Sequence, residues 1–424
     1  MYSYAIHTLS NQLTHTLRSV SEGADSKNAR LLTQAGFISR AAAGIYTLMP
    51  LAVRVLGRIE TIVRDEMNSL GAHELLVSGL QPRELWERTG RWDSVDVLYR
   101  FASRHGAEYC LSATAEEPVV AACTHAIRSY RDLPLSVYQI APKYRDEHRA
   151  RAGMLRGREF RMKDLYSFHL NDSELNEFYE SVCKAYARIF DRCGIGKHTV
   201  RTFASGGVFS RFSDEFQLLH ESGEDTILIT EDGRTAVNTE IAQDSEALRI
   251  VFGDNIPTLI ERRAIEVGNT FKLGTRYTDA LGLRIQDHAG VVGSVRMCSY
   301  GIGTTRLLAS IAEVYGDECG LVWPQEVAPY DLHVVQIGEQ DRSSDQVDQI
   351  KRLCTDERIS TLLDLREGVR PGEKFATADL IGIPLRVVVG GARTSAHTVE
   401  VKDRLTGALR DVSLTELVEL VKKR

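Results

Sequence analysis

Residues 143–169, KYRDEHRARAGMLRGREFRMKDLYSFH, constrain this chain more than any other stretch. Between Lys143 and Lys163 stand eight Lys/Arg and three Asp/Glu, a local excess of positive charge in a chain whose net charge is −6. Apolar residues on either side (Val137, Tyr138 and Ile140, then Phe160, Met162, Leu165, Tyr166 and Phe168) predict two strands, with residues 149–153 as a mobile basic loop between them. A strand pair with an arginine at its base, another past the loop and an aromatic beside it suits a nucleoside triphosphate. The guanidinium fork grips phosphate oxygens, and an aromatic face stacks on a base. On charge alone a solvated basic hairpin is the blander reading.

A second stretch, residues 297–313 (MCSYGIGTTRLLASIAE), places Gly301 and Gly303 before Arg306 and a run with helical spacing through Leu307, Leu308, Ile311 and Ala312. Glycines at a strand-to-helix junction let a ligand approach the backbone, and a helix N-terminus favours anions.

The order of residues in both stretches resembles class II aminoacyl-tRNA synthetases. Arg145-Asp146-Glu147, a loop, then Arg156 to Phe160 is similar to their second motif, and residues 297–313 are similar to their third. The resemblance implies that Arg145 contacts the ATP α-phosphate, Glu147 the adenine amino edge, and Arg156 the γ-phosphate. Phe160 would stack on adenine, and Arg306 would be the second catalytic arginine beside Arg145. Thr114-Ala115-Glu116 resembles the Thr-x-Glu loop of prolyl-tRNA synthetases, although in isolation such a triplet is more often a helix start. A secondary ammonium in a closed pocket needs a carboxylate and a hydroxyl acceptor; Glu116 and Thr114 offer both, and Arg145, Phe216 and Ser299 would complete the proline pocket. Further segments resemble the bacterial type of that family: residues 42–76, ELWERTGRW (84–92), IEVGNTFKLGTRYTDALG (265–282), GLVWPQEVAPYDL (320–332) and ATADLIGIPLRVVVG (376–390).

At 424 residues the chain is expected to hold two or three domains. Seven cysteines without a C-x-x-C pair fit reduced thiols, not a zinc site or disulfide framework. No signal pattern or membrane-length apolar run is present, so a cytoplasmic enzyme is expected. Twelve histidines show no ligand spacing, and no metal-binding residue is assigned.

The organisation follows from periodicity. Residues 46–71 predict a helix and 72–80 a strand, where the family's first motif builds a homodimer interface; Ser78 stands where the family has proline. Helix 173–193 and a hairpin at 226–238 come next. Only 24 residues (241–264) then join 236–240 to 265–268, where bacterial prolyl enzymes commonly carry an inserted domain that hydrolyses alanyl-tRNA(Pro). The resemblance is therefore to the compact form, without editing in cis. Beyond residue 330, strands at 331–337, 360–365, 384–390 and 398–403 alternate with helices at 344–355, 374–381 and from 413, resembling the family's anticodon-binding domain.

The fold expected is thus α/β. An α+β catalytic domain over 1–325 carries the class II antiparallel sheet flanked by helices, and a C-terminal α/β domain over 330–424 carries a mixed, mostly parallel sheet. Residues 330–424 hold 15 Lys/Arg and 16 Asp/Glu, so RNA contact there must come from shape and base edges; Glu367, Arg370, Lys374 and Lys402 are the candidates for the anticodon. Two departures stand near the pocket, one of them Ser299, a near-isostere of the family's cysteine. Asp214 replaces a family histidine and would set a second negative charge near a cationic ligand, either strengthening ammonium binding or raising the pKa of one carboxylate. The expected function is ATP-dependent activation of L-proline, with Mg²⁺ assisting, and its transfer to tRNA(Pro). The alternatives are a threonyl- or glycyl-type enzyme and a synthetase-like RNA-binding protein without catalysis.

Overall fold

The structure, a computed structural model, describes residues 5–11, 13, 15–20, 26–207, 209–338, 340–391 and 398–423. It divides into two compact units, one of residues 1–42, 46–61 and 311–424, the other of 43–45 and 62–310.

The second unit is built on nine strands: β1 (His73–Glu74), β2 (Leu135–Tyr144), β3 (Glu159–His169), β4 (Thr199–Ser205), β5 (Phe212–Leu219), β6 (Asp225–Thr230), β7 (Ala236–Asn238), β8 (Leu259–Gly274) and β9 (Arg296–Gly303). Their order is β5-β4-β7-β6-β8-β9-β3-β2-β1, with β5 also paired to β8. All pairings are antiparallel except β4–β7 and β1–β2. The basic stretch forms the strand pair β2–β3, in register from Leu135↔Phe168 to Tyr144↔Glu159. An Arg151↔Arg156 bridge pins the loop between them, and Met154 and Leu155 are buried beneath it.

Helix Asp172–Arg192 covers one face of this sheet. Asn171 caps it by accepting from the Glu174 amide, and its buried stripe is Leu175, Tyr179, Val182, Cys183, Tyr186, Ile189 and Phe190. Because strand residues alternate between faces, one residue decides a side chain's side. On β3, Lys163, Ser167 and His169 meet Tyr186, Tyr300 and Phe178 on the helix face. Tyr166 and Phe168 join Val137, Ala115 and Met297 on the other face, which carries the site.

In the first unit, β10 (Leu332–Gln336), β11 (Thr361–Asp364), β12 (Leu385–Val389), β13 (Thr398–Asp403) and β14 (Leu409–Ser413) form a sheet in the order β11-β10-β12-β13-β14. The first three are parallel and the last two antiparallel to their neighbours, over a core of Leu332, Val334, Ile350, Leu363, Val387 and Val399. The strand Ile6–Thr8 adds to the free edge of β11 in parallel. The division expected near residue 325 therefore needs qualifying, since chain from the N-terminus completes the C-terminal sheet. A second difference lies at residues 72–80. Only His73–Glu74 and Leu80–Pro82 form strands there, and between them the Ser78 hydroxyl donates to the Leu80 carbonyl at 2.8 Å. None of the seven cysteines is disulfide-bonded, and among the described residues no helix is long and apolar enough to cross a membrane.

Candidate active site

The site face holds a cavity of about 230 Å³. Arg145, Glu147, Arg156, Phe160 and Arg306, all expected to touch ATP, line it together. β2 ends just before Arg145 and β3 begins after Arg156. The Arg145 amide donates to the Arg158 carbonyl at 2.8 Å and closes the base of the loop. The Arg145 guanidinium lies 5.1 Å from the Phe160 ring centre. Burial lowers its pKa from the ordinary arginine value, opposed by Glu147, Glu266 and Glu116. Glu147 holds Arg156 at 2.9 Å.

Arg306 opens helix Thr304–Tyr315 directly after β9. It approaches Glu224 at 3.7 Å, and its Nε is buried without a hydrogen-bond partner among the described residues. A buried donor without an acceptor is costly in a finished core and useful where an acceptor arrives with a ligand. Gly301 is small for a reason visible here: a Cβ would stand 2.7 Å from the Asn269 Oδ1.

Glu266 lines the cavity and Glu215 stands near it, outside the lining; sequence reasoning singled out neither. Glu266 accepts from Asn269 at 2.8 Å, and Glu215 accepts from Gln217 at 2.9 Å and Asn238 at 3.1 Å. Burial and the nearby Glu266 push the Glu215 carboxyl up to about 8; burial likewise raises Glu266. No group of three or more His, Cys, Asp or Glu among the described residues could hold a metal by itself.

Thr114 and Glu116 stand beside this cavity, outside its lining. The Arg145 Nε donates to the Ala113 carbonyl at 3.4 Å, which ties the loop to the cavity wall. The helix Glu116–Cys123 follows, but Ala115 at its N-cap makes no side-chain cap, and the Thr114 hydroxyl donates to Glu116 instead. Tyr166 receives the Ala115 amide at 3.2 Å and donates to Asp164 at 2.9 Å. Asp164 is in turn held by Lys143 at 2.7 Å. Ser299 is on the same face, paired in register between Phe271 and Tyr166. The residue least visible in the sequence is Arg91, inside the quoted ELWERTGRW segment, whose Nη1 meets both Glu116 and Glu117.

Two expectations change sides. Phe216 packs against Tyr186 and Phe190 at 5.1 and 5.5 Å between ring centres, on the helix face, so it does not close a pocket on the site face. Asp214, two residues before it, points the same way. It binds Arg201 at 2.9 Å and accepts from the Tyr179 hydroxyl at 2.7 Å. Its charge is answered there and bears on neither of the effects expected for the pocket. The period of two along β5 is the cause.

In the first unit, Glu367 and Lys374 line one hollow of about 270 Å³, and Arg370 stands at the N-cap of helix Pro371–Ile381. Lys374 is buried and donates to the Gln336 carbonyl at 2.7 Å. Lys402 lies apart on β13, paired with Asp379 at 3.0 Å.

The family model described as "tRNA synthetase class II core domain (G, H, P, S and T)" matches residues 99–315, and "Anticodon binding domain" matches 331–424. A proline–tRNA ligase of Geobacillus sp. (strain WCH70) is 32% identical over 96% of this chain and 98% of its own length. That of Bacillus subtilis (strain 168) is 31% identical over 97% and 99%. The first alignment runs over 557 positions, more than the chain possesses, so that relative has residues without a counterpart here. In fold, the chain is similar to a prolyl-tRNA synthetase from Cryptosporidium parvum crystallised with L-proline and AMP, with a TM-score of 0.74 at 18% identity, over 93% of this chain and 75% of that one. With the class II core, the anticodon-binding domain and full-length relatives all agreeing, the chain belongs to the proline–tRNA ligase family of class II tRNA synthetases.

Proposed function

We propose that this chain activates L-proline in the cavity described above and passes it to tRNA(Pro), with the site residues acting as follows. Arg145 and Arg306 bend ATP and neutralise charge at the α-phosphate while the proline carboxylate attacks it and pyrophosphate leaves. Arg156 receives the γ-phosphate, and Glu147 and Phe160 hold adenine. The terminal hydroxyl of tRNA then attacks the prolyl carbonyl, and AMP departs. This is positioning and electrostatics, with no protein nucleophile. The observation that carries the reading is the convergence of three arginines and Phe160 on one cavity. Mg²⁺ bound with ATP would add positive charge at the phosphates, a mode that needs only one or two protein carboxylates; Glu266 and Asp225, which line the cavity, would be the residues to hold it.

Glu116 and Thr114 would receive the proline ammonium, with Ser299 beside them. ATP–pyrophosphate exchange measured with each amino acid tests the assignment. Proline alone should drive it efficiently; threonine or glycine doing so would favour the sister enzymes, and no exchange at all an inactive relative.

The same reading assigns residues up to about 325 to catalysis and 330–424 to the anticodon, with Glu367 and Arg370 the better-placed readers. Exposed Leu76 and Leu80 in the first-motif region favour a homodimer there, and the cytoplasm is the proposed place of action. Editing in cis is not expected. The connector 241–264 is taken up by helix Ser245–Phe252 and the start of β8. Alanine lacks only two methylenes of proline's contact, a discrimination of roughly 10- to 200-fold. The enzyme should therefore form detectable alanyl-tRNA(Pro) and deacylate it no faster than buffer does; faster deacylation would overturn this part.

A further inference from the structure

We infer that Arg91 is the positioning residue that keeps the amino-acid loop one positive charge short, by answering one of the two carboxylates that Glu116 and Glu117 bring into the same buried space. The inference rests on Glu116 as the partner of the substrate ammonium and adds how that carboxylate is kept available.

Arg91, Glu116 and Glu117 are 2%, 3% and 0% exposed. A single nitrogen of Arg91, Nη1, lies 2.9 and 3.1 Å from the two oxygens of Glu117 and 3.2 Å from the Oε2 of Glu116. Glu117 also accepts from the Thr89 hydroxyl at 2.8 Å. Burial works to neutralise Glu117, and Arg91 works against it. Both Glu117 oxygens face Nη1, at the two shorter of its three carboxylate distances. Glu117 is therefore the principal partner of the arginine.

Glu116 receives a lesser share. Its hydrogen bonds, from Arg91 and Thr114, both end on Oε2, which leaves Oε1 for a ligand among the described residues. The rings of Trp86, Phe209 and Tyr277 stand 4.9 to 5.4 Å from the Arg91 guanidinium and exclude water from it. The other cation near Glu116 is Arg145, which also faces Glu147 and Glu266. Asp164 is paired with Lys143 at 2.7 Å.

A buried charge without a counter-charge is expensive. An amine that arrives protonated removes that penalty, while a neutral ligand of the same shape does not. Selection for an ammonium is thus built into the loop before any contact with the ring of the substrate.

The test is a charge cycle in the full chain. Glu117→Gln lets Arg91 neutralise Glu116 completely, so the proline KM should rise about 10-fold or more while the ATP KM stays within about twofold. Adding Arg91→Gln restores one unanswered carboxylate and should bring the proline KM back to within about threefold of the parent. Arg91→Met with Glu117→Met repeats the pairing with apolar groups, which buried ion pairs tolerate, and guards against a double variant that fails to fold. A proline KM unmoved by Glu117→Gln, or double variants no better than that single one, would overturn the inference. Glu116→Gln is the control for the underlying reading: if it leaves the proline KM unchanged, the loop does not bind the ammonium and that reading fails instead.

Discussion

The two faces of the nine-stranded sheet are made by the same strands and treat charge in opposite ways. On the helix face, Asp214 is closed in by Arg201 and Tyr179. Lys163, its pKa driven down by burial, is bonded to Tyr186 and the Tyr300 carbonyl. His169 has neither ring nitrogen bonded there, but burial depresses its pKa to about 4, so it carries no charge. On the site face the Nε atoms of Arg306 and Arg91 are buried without partners among the described residues, and carboxyls crowd at Glu215 and Glu266. The contrast separates charge that holds a fold from charge held ready for a ligand.

That contrast is most exposed to failure at the arginines. Arg145→Ala and Arg306→Ala should each lower pyrophosphate exchange by about 10²-fold or more, with circular dichroism unchanged. Survival of activity in either would place that arginine with the structural charges. Glu116→Ala should cost on the order of 3 kcal/mol in kcat/KM for proline, read in the same assay.

The helix face should respond in the other currency of stability. Asp214→Asn leaves Arg201 with Glu180 as its remaining carboxylate partner and should cost about 1–3 kcal/mol, seen as a lower Tm, with the proline KM within about twofold of the parent. A large KM change would mean the faces are coupled. The smallest effect concerns Glu215. With its pKa raised to about 8, the folded state holds more protons than the unfolded one between the ordinary carboxylate range and that value. Its contribution is present at low pH and is lost as pH rises through about 8. Glu215→Gln should flatten this part of the Tm–pH curve, a change on the order of a few °C.

What the sequence made legible was whatever depends on short-range order. The strand pair 135–169, the helices at 172–192 and 371–381, and the alternation after residue 330 follow from periodicity and end signals, and the five residues expected to touch ATP line one cavity. What it hid depends on parity and on distance along the chain. Phe216 and Asp214 lie on β5, which sends every second residue to the far face. Arg91 reaches Glu116 from 25 positions away, and no local pattern marks such a pair. β14 went unread because its run, Leu409–Ser413, has one buried residue, Val412.

The strand Ile6–Thr8 gives this protein an order of assembly. Its docking edge, Thr361–Asp364, is made more than 350 residues after it. At about 5–20 residues per second that is many seconds of synthesis, during which the first strand has no place to pair and the last sheet has no outer border. A contact of such sequence separation forms late in folding. Once formed it covers a parallel edge that would otherwise be open to other chains. The start of the chain is thereby the closing piece of its end, and alterations at the N-terminus would be felt first in the sheet proposed to read tRNA.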